Sequence, residues 1–338
     1  MRILIVKRDK IGDLLLTTPM IAHLKAARPD AQIHVLANDY NAWVLEGNRH
    51  VDRLWIYRRV RQGGRLSLAA AWQQIVQSAA LRREGFDFAI VANGDESPRA
   101  IARGLACRAA RVVACCGAQR RYRGLSDPIP ISHGAHECDR LLALLGPLGI
   151  GMPGSTLLPE YRLPPAQAAF ARAWLADRSL APGGYVVLGL GARRAKKQPT
   201  QDQVLRWTEW LHTQHGLGTV FMWTPGRSDD PVYPGDDDIA RPVLAAARTW
   251  IHPFRGPILP ALGLIYCART SIFPDSGLMH FAAASPGGVL GLFAETDVSP
   301  HPSQWGPRGA RADYLEAEKS VAELREDAVF VRLAPLLA

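Results

Sequence analysis

Short apolar runs alternate with helix-like stretches along the whole chain. Eight runs have the length and composition of buried strands: RILIV (2–6), QIHVLA (32–37), FDFAIVA (86–92), RVVACCG (111–117), YVVLGLGA (185–192), LGTVFMWT (217–224), TSIFPDSG (270–277) and GGVLGLF (287–293). Most are apolar throughout, which is typical of parallel strands covered on both faces. Helical stretches are predicted at 66–83, 136–150 and 166–178. The alternation indicates βαβ units and therefore an α/β fold with parallel sheets.

A proline-rich segment interrupts this alternation midway. PGSTLLPEYRLPP (153–165) is dense in turn residues and predicts a linker. A length of 338 residues also favours two domains. We therefore predict an N-terminal domain over 1–165 and a C-terminal domain over 166–338. The tail from about 314 is predicted to be helical, and we expect it to pack back on the N-terminal domain.

The net charge of +9 comes entirely from the first half. Residues 1–165 hold 23 Lys and Arg against 14 Asp and Glu, whereas residues 166–338 hold 17 of each. A GC-rich genome would explain why 34 of the 40 basic residues are Arg, but not this asymmetry. We expect the first domain to bind an anionic partner. Candidate contacts lie in RLWIYRRVRQGGR (53–65) and RRYR (120–123), although a solvated basic face gives the same pattern.

Several classes of protein are disfavoured by what the sequence lacks. No apolar run approaches the ~18 residues of a membrane span, and the N-terminus has no signal-peptide pattern, so a cytoplasmic protein is expected. The five cysteines form no CxxC pair and are predicted to be reduced. His133, His136 and Cys138 do not complete a tetrahedral set, so no metal site is predicted. The motifs of P-loop, zincin and α/β-hydrolase enzymes are absent.

The loop after the first strand, KRDKIGD (7–13), carries a candidate catalytic carboxylate. In an open parallel sheet, ligands bind beyond the carboxyl ends of the strands. Gly12 would permit a tight turn there, and Asp13 stands where a helix begins. Two interpretations stay open for Asp13, a helix N-cap and a general base.

A basic loop follows the fifth apolar run, GLGARRAKKQP (189–199). Gly189 and Gly191 would let backbone N–H groups approach a phosphate, and Arg193, Arg194, Lys196 and Lys197 supply positive charge. A dinucleotide fingerprint would have a third glycine where Arg194 stands. Anion binding and a solvated basic turn are both consistent with this loop.

The segment FPDSGLMHFAAA (273–284) places Asp275, Ser276 and Gly277 at a strand-to-helix junction. Free N–H groups there would suit a diphosphate, but a plain capped helix gives the same pattern, and His280 in such a helix is more often structural. The acidic run DDD (236–238) is predicted to be a solvated loop rather than a metal-binding D-x-D motif.

Four segments together resemble glycosyltransferase family 9, the lipopolysaccharide heptosyltransferases. They are RILIVKRDKIGDLLLTTPMIAHLKAARPDAQIHVLA (2–37), GFDFAIVANGD (85–95), HECDRLLALLGPLGI (136–150) and FPDSGLMHFAAASPGGVLGLF (273–293). The last contains D-[ST]-G-x-x-H, the most specific block of that family. The resemblance covers nearly the whole chain.

The resemblance implies an α/β fold of GT-B architecture, in which two Rossmann-like domains face each other across a cleft. It implies an inverting, metal-independent enzyme without a cofactor that moves a heptose from ADP-heptose to the phosphorylated inner core of lipid A, at the inner face of the inner membrane. Asp13 would be the catalytic base. The residues implied or proposed for the acceptor are Lys10, Gly12, Arg58, Arg59, Arg61 and Arg120. Those for the donor are Gly191, Arg193, Lys196, Asp275, Ser276, Gly277, Leu278 and His280.

The chain departs from the family pattern in two places. Gln198 stands where the K-x-W-P segment has its aromatic residue, and TPGRSDD replaces a Gly-Gly-Pro-Glu-like turn. Asp229 or Asp230 is the candidate acid for the nucleoside. A different donor or acceptor (distal core, capsule or protein) and a non-catalytic sugar-nucleotide-binding protein are alternatives. A nicotinamide-dependent enzyme is disfavoured because MWTPGR lacks the ribose-binding acid, and nucleic acid is not expected because no binding motif is present.

Overall fold

A computed structural model describes residues 1–62, 65–118, 122–191, 194–230, 234–297 and 301–338. The chain divides into two compact units, Met1–Arg162 and Leu163–Ala338. The predicted boundary at 165/166 falls at the start of a helix that begins at Pro165. Arg120 and Arg193 lie outside the described residues, as does the side chain of Arg61.

The first unit is built on a parallel sheet of six strands in the order β3-β2-β1-β6-β7-β8. The strands of this unit, including a short antiparallel pair β4 and β5, are β1 (Arg2–Val6), β2 (Gln32–Asn38), β3 (Arg53–Tyr57), β4 (Arg61–Gln62), β5 (Arg65–Leu66), β6 (Phe88–Val91), β7 (Arg111–Cys115) and β8 (Asp127–Ile129). Its helices are α1 (Ile11–Leu15), α2 (Thr18–Ala27), α3 (Leu68–Arg83), α4 (Pro98–Ala106) and α5 (Glu137–Ala143).

The second unit repeats this topology with the order β11-β10-β9-β12-β13-β14. Its strands are β9 (Tyr185–Gly189), β10 (Gly218–Met222), β11 (Ile251–Phe254), β12 (Thr270–Pro274), β13 (Val289–Ala294) and β14 (Ala312–Ala317). Its helices are α6 (Pro165–Ala176), α7 (Gln201–His215), α8 (Asp237–Ala245), α9 (Ile258–Cys267), α10 (Gly277–Ala283), α11 (Pro302–Trp305) and α12 (Glu326–Leu337).

Both sheets confirm the predicted α/β class with parallel strands. The inner strands β1, β9 and β13 are almost entirely buried because helices cover both faces of each sheet. In each sheet the strand order reverses beside the first strand, between β1 and β6 and between β9 and β12. Ligands of doubly wound sheets bind outside the carboxyl ends of the strands at such a switch point.

The predicted helical tail is wrong at its start. Ala312–Ala317 forms β14, which pairs with β13 in parallel register. Pairing along the sheet edge outweighs the helix-favouring composition of this segment. The tail then ends in α12, which was expected to pack on the N-terminal domain. The buried face of α12, with Val329 and Leu333, belongs to the core of the second unit. Within the described part of the chain, no helix is long and apolar enough to cross a membrane.

Candidate functional site

The loop after β1 is held in place by two asparagines from the end of β2. The Asn38 side-chain amide donates to the Arg8 carbonyl at 2.7 Å, and that of Asn41 donates to the Asp9 carbonyl at 3.0 Å. Both side chains are buried, so these hydrogen bonds replace water at the loop backbone. They fix the loop at the carboxyl end of the sheet.

Lys7 is a buried cation in this loop, at only 1% exposure. Its ammonium lies 3.3 Å from an oxygen of Asp9 and 4.0 Å from one of Glu137. Burial alone would lower the pKa of Lys7, but the carboxylates of Asp13, Asp9 and Glu137 together raise it above its ordinary value. Lys7 is therefore a permanent positive charge among acidic groups. The prediction missed it, although a lysine directly after an apolar strand is a usable signal.

Asp13 is the third residue of α1, and not the N-cap considered above, since the capping position belongs to Lys10. Its carboxylate accepts a hydrogen bond of 2.9 Å from the Lys10 backbone N–H. Gly12 is buried inside α1, so the tight turn expected there is a helical turn instead. Burial raises the pKa of Asp13, and the charge of Lys7 opposes that rise.

Polar groups from β6 and α5 complete this region. The Asn93 amide donates to Asp9 at 2.6 Å, and the Gly94 N–H donates to Glu137 at 3.0 Å. A side chain at position 94 would collide with Glu137, so glycine is required for that contact. The side-chain oxygen of Asn93 is buried and has no hydrogen-bond partner among the described residues.

The basic residues proposed for the acceptor are only partly described. Arg58 and Arg59 follow β3 and are exposed. The Arg59 guanidinium pairs with Asp39 at 2.9 Å, which neutralises part of the charge there.

Lys197 and Asp275 form an enclosed ion pair in the second unit. The loop after β9 ends in a single 3-10 turn (Ala195–Lys197), which points Lys197 inward to Asp275 at the end of β12. The ammonium lies 2.5 Å from a carboxylate oxygen of Asp275, and the Lys197 side chain is only 7% exposed. The cation paired with residues 275–280, called the Asp275 segment below, is thus Lys197, whereas Lys196 was the predicted lysine.

Lys196 points elsewhere. Its side chain is 62% exposed, and its ammonium lies 2.8 Å from an oxygen of Glu295. Glu295 follows β13 and has a positive φ of 53°, which is uncommon outside glycine. The ion pair with Lys196 lowers the pKa of Glu295. Lys196 and Lys197 therefore lie beside two different carboxylates at the ends of neighbouring strands.

The Asp275 segment carries two buried polar atoms without partners in the described part of the chain, the Oγ of Ser276 and the Nδ1 of His280. Ser276 occupies the N-cap of α10 but makes no side-chain capping bond, and Gly277 and Leu278 open that helix. Burial lowers the pKa of His280 to about 4, so its imidazole is neutral at pH 7. Unpaired polar groups of this kind are costly, and they are explained when a polar ligand binds them.

Asp236 corrects the prediction for the acidic run 236–238. It is buried, and it accepts hydrogen bonds from the Gln198 side chain at 2.5 Å and from the Thr224 N–H at 2.7 Å. The run is therefore not a solvated loop, because its first residue ties the loop after β9 to that after β10. Gln198, which replaces the family aromatic, is one half of this contact. Asp229, a candidate nucleoside contact, is exposed and pairs with Arg227 at 2.7 Å.

The two glycines of the loop after β9 differ in environment. A side chain on Gly189 would collide with the ring of Phe273, so packing between β9 and β12 requires glycine at this position. A Cβ on Gly191 would lie 3.8 Å from the Thr224 hydroxyl, an ordinary contact. Among the described residues, Gly191 thus has room for a side chain.

The cysteines and histidines form no metal-binding group in the described ranges. All five cysteines are thiols rather than disulfides, and burial raises the pKa of Cys107 to about 11 and that of Cys115 to about 12. These thiols are protonated at neutral pH and are poor nucleophiles.

Comparisons with known proteins agree with the resemblance noted above. The model of glycosyltransferase family 9 (heptosyltransferase) matches residues 77–329. Lipopolysaccharide heptosyltransferase 3 of Escherichia coli K12 is 27% identical over 300 residues, which are 85% of this chain and 80% of that protein.

Two solved structures share the fold over nearly the whole chain. The family 9 glycosyl transferase from Veillonella parvula has a TM-score of 0.80 at 18% identity, with 99% of this chain and 97% of that chain covered. Escherichia coli ADP-heptose lipopolysaccharide heptosyltransferase II has a TM-score of 0.75 at 19% identity, with 100% and 98% covered. The predicted GT-B fold class is confirmed. Because the family model matches most of its length, this chain belongs to glycosyltransferase family 9, the heptosyltransferases.

Proposed function

We propose that this glycosyltransferase moves a heptose from ADP-heptose to an acceptor in the core of lipopolysaccharide, with inversion and without a metal. The observation that carries the proposal is the Asp275 segment, where the Lys197 ion pair lies beside the neutral His280 and the Ser276 Oγ, which has no hydrogen-bond partner among the described residues. The names of the relatives, which include ADP-heptose and lipopolysaccharide, support the choice of donor and acceptor.

The second unit would hold the donor. Lys197 would face the diphosphate, with the Gly191 loop and residues Ser276 to Leu278 beside it, while Lys196 is held outward by Glu295. Charge-assisted hydrogen bonds from ammonium groups are the strong contacts to phosphate oxygens. The Lys197 ammonium would also stabilise the negative charge that grows on the departing ADP, so we assign that role to Lys197 and not to a metal.

The first unit would bind the acceptor, with Asp13 as the general base. Asp13 takes the proton of the acceptor hydroxyl, whose oxygen forms a bond to the anomeric carbon. The bond from that carbon to the diphosphate oxygen breaks, and its electron pair leaves with ADP. Positioned carboxylates of this kind accelerate proton transfer by about 10²- to 10⁴-fold. Lys10, Arg58 and Arg59 would attract the phosphates of a core glycolipid.

A transfer assay tests the proposal. The purified protein is incubated with radiolabelled ADP-heptose and core acceptors of different lengths, with UDP-glucose as control donor and with EDTA in parallel. We expect transfer only from ADP-heptose, EDTA resistance and inverted anomeric configuration by NMR. Transfer only from another nucleotide sugar, or loss of activity in EDTA that Mg²⁺ restores, would contradict the proposal. Mass spectrometry of lipooligosaccharide from a deletion strain would identify the acceptor by the missing sugar.

A further inference from the structure

Helix α3 exposes a row of large apolar side chains. Leu68, Trp72, Ile75 and Val76 are 86%, 68%, 61% and 52% exposed, and their spacing of four, seven and eight residues places them on one face. This "α3 face" is contiguous, whereas isolated exposed apolar residues are common and need no explanation.

The opposite side of α3 buries Ala70 and Leu81, but in the first turns it otherwise carries glutamines, which departs from the usual pattern of a surface helix. Gln73 and Gln77 each donate to the Ile56 carbonyl at 3.0 Å, and Gln74 donates to the Arg58 carbonyl at 2.5 Å. Glutamine amides thus anchor the helix to the end of β3, and the larger apolar side chains of its first turns point outward. Packing among the described residues of this unit does not account for the α3 face.

The segment that contains α3 and the strand before it is rich in arginine. The segment 53–83 contains no Asp or Glu, and its seven ionised residues are Arg53, Arg58, Arg59, Arg61, Arg65, Arg82 and Arg83. Arg53 pairs with Glu84 and Arg59 with Asp39, which offsets part of this charge. Arg58, Arg82 and Arg83 are exposed, and the last two are the C-terminal residues of α3.

We propose that the α3 face docks on the surface of an anionic lipid bilayer. Trp and aliphatic side chains insert at the headgroup level, and each arginine near the surface adds attraction to anionic lipid. A second copy of the chain fits less well, because a two-fold contact would bring like-charged arginines together. The purpose of docking rests on the proposed function, since a core glycolipid acceptor is anchored in such a bilayer.

Vesicle sedimentation tests the proposal without donor or acceptor. The full chain is mixed with phosphatidylethanolamine vesicles that contain phosphatidylglycerol, and with phosphatidylcholine vesicles as control. We expect binding to the anionic vesicles only, weakened roughly tenfold or more by the triple substitution Trp72→Gln, Ile75→Gln and Val76→Gln. The matched control Leu158→Gln with Val331→Gln removes exposed apolar side chains elsewhere and should bind as wild type.

Three outcomes would overturn the proposal: equal binding to both vesicle types, wild-type binding by the triple variant, or a dimer in solution that the triple substitution dissociates. Circular dichroism establishes that each variant is folded. Transfer to an acyl-free acceptor gives a second readout, which the triple substitution should leave unchanged while transfer to vesicle-embedded acceptor falls. A protein that binds anionic vesicles through the α3 face but transfers no heptose would refute the proposed function and not this inference.

Discussion

Lys197 and Asp275 form an enclosed ion pair across the ends of β9 and β12, with 2.5 Å between ammonium and carboxylate, while the adjacent Lys196 is turned outward to Glu295. If the Asp275 segment holds the donor diphosphate, Lys197 is the lysine that contacts it. We predict that Lys197→Met weakens ADP binding by about 10- to 100-fold, the effect of losing one or two charge-assisted hydrogen bonds. Titration calorimetry with ADP measures this.

Lys196→Met is the matched control, since it removes the same charge one residue away. We expect it to change the dissociation constant for ADP by less than about threefold, because its pair with Glu295 is solvent-exposed. If Lys196→Met weakens ADP binding more than Lys197→Met does, Lys196 is the lysine that binds the donor. Lys197→Met leaves Asp275 without its cation and should also lower Tm, so binding is measured below the melting transition.

Lys7 should control the pH at which Asp13 becomes a base. Burial raises the pKa of Asp13 above the ordinary 3.8, so turnover should fall as pH drops through that raised value. Lys7→Met removes the cation that opposes the rise, and the acid limb of the kcat profile should move to higher pH. Rates across pH 4–9 with the same acceptor measure this.

Lys7→Arg keeps the charge and should hold the acid limb near its wild-type position. A merely structural role for Lys7 would lower kcat by one factor at every pH and leave the limb in place. An unchanged acid limb would show that Lys7 does not influence the pKa of Asp13.

His280 should make stability depend on pH. Its pKa is about 4 in the folded chain against 6.5 ordinarily, so the unfolded state binds a proton first as pH falls. The free energy of unfolding should therefore keep its full value above pH 6.5. Between pH 6.5 and about 4 it should fall by on the order of 3 kcal/mol because of His280. Urea unfolding of wild type and His280→Gln at pH 7 and 4 measures it. Parallel pH dependence in both proteins would assign the effect to other groups.

Substitution by alanine should lower the stability of the protein at Gly189 but not at Gly191. Gly189→Ala pushes a methyl group into the Phe273 ring, which is itself buried, and should cost about 1–3 kcal/mol of stability. Gly191→Ala has room and should fold as wild type, so any loss of ADP affinity there reports on the ligand. Equal Tm losses in the two variants would contradict this division.

The inner strands of both sheets could be predicted from sequence, and the edge strands could not. The eight predicted runs correspond to β1, β2, β6, β7, β9, β10, β12 and β13, which occupy the inner positions. The strands of the two parallel sheets that were missed, β3, β8, β11 and β14, are the sheet edges in the described topology. Their side chains are partly exposed, so they lack the continuous apolar run that marks a doubly covered strand.

The loops that hold the candidate site were also predictable, because polar residues after buried parallel strands gather at one edge. It could not be predicted that Lys197, and not Lys196, points inward to Asp275, since one residue of a 3-10 turn rotates a side chain from the interior to solvent. The hydrogen bond between Gln198 and Asp236 could not be predicted from the sequence either. Their contact joins loops 38 residues apart in sequence, and only the folded chain brings them together.

The role of Asp13 is tested most directly by comparing heptose transfer by the wild type and Asp13→Asn under identical conditions, with ADP binding measured on both. We predict that the wild type adds one heptose to a core acceptor, seen as a mass increase, and that Asp13→Asn binds ADP normally but turns over about 10²- to 10⁴-fold more slowly. Wild-type turnover by Asp13→Asn, or the absence of heptose transfer by the wild type to every core acceptor, would contradict the account.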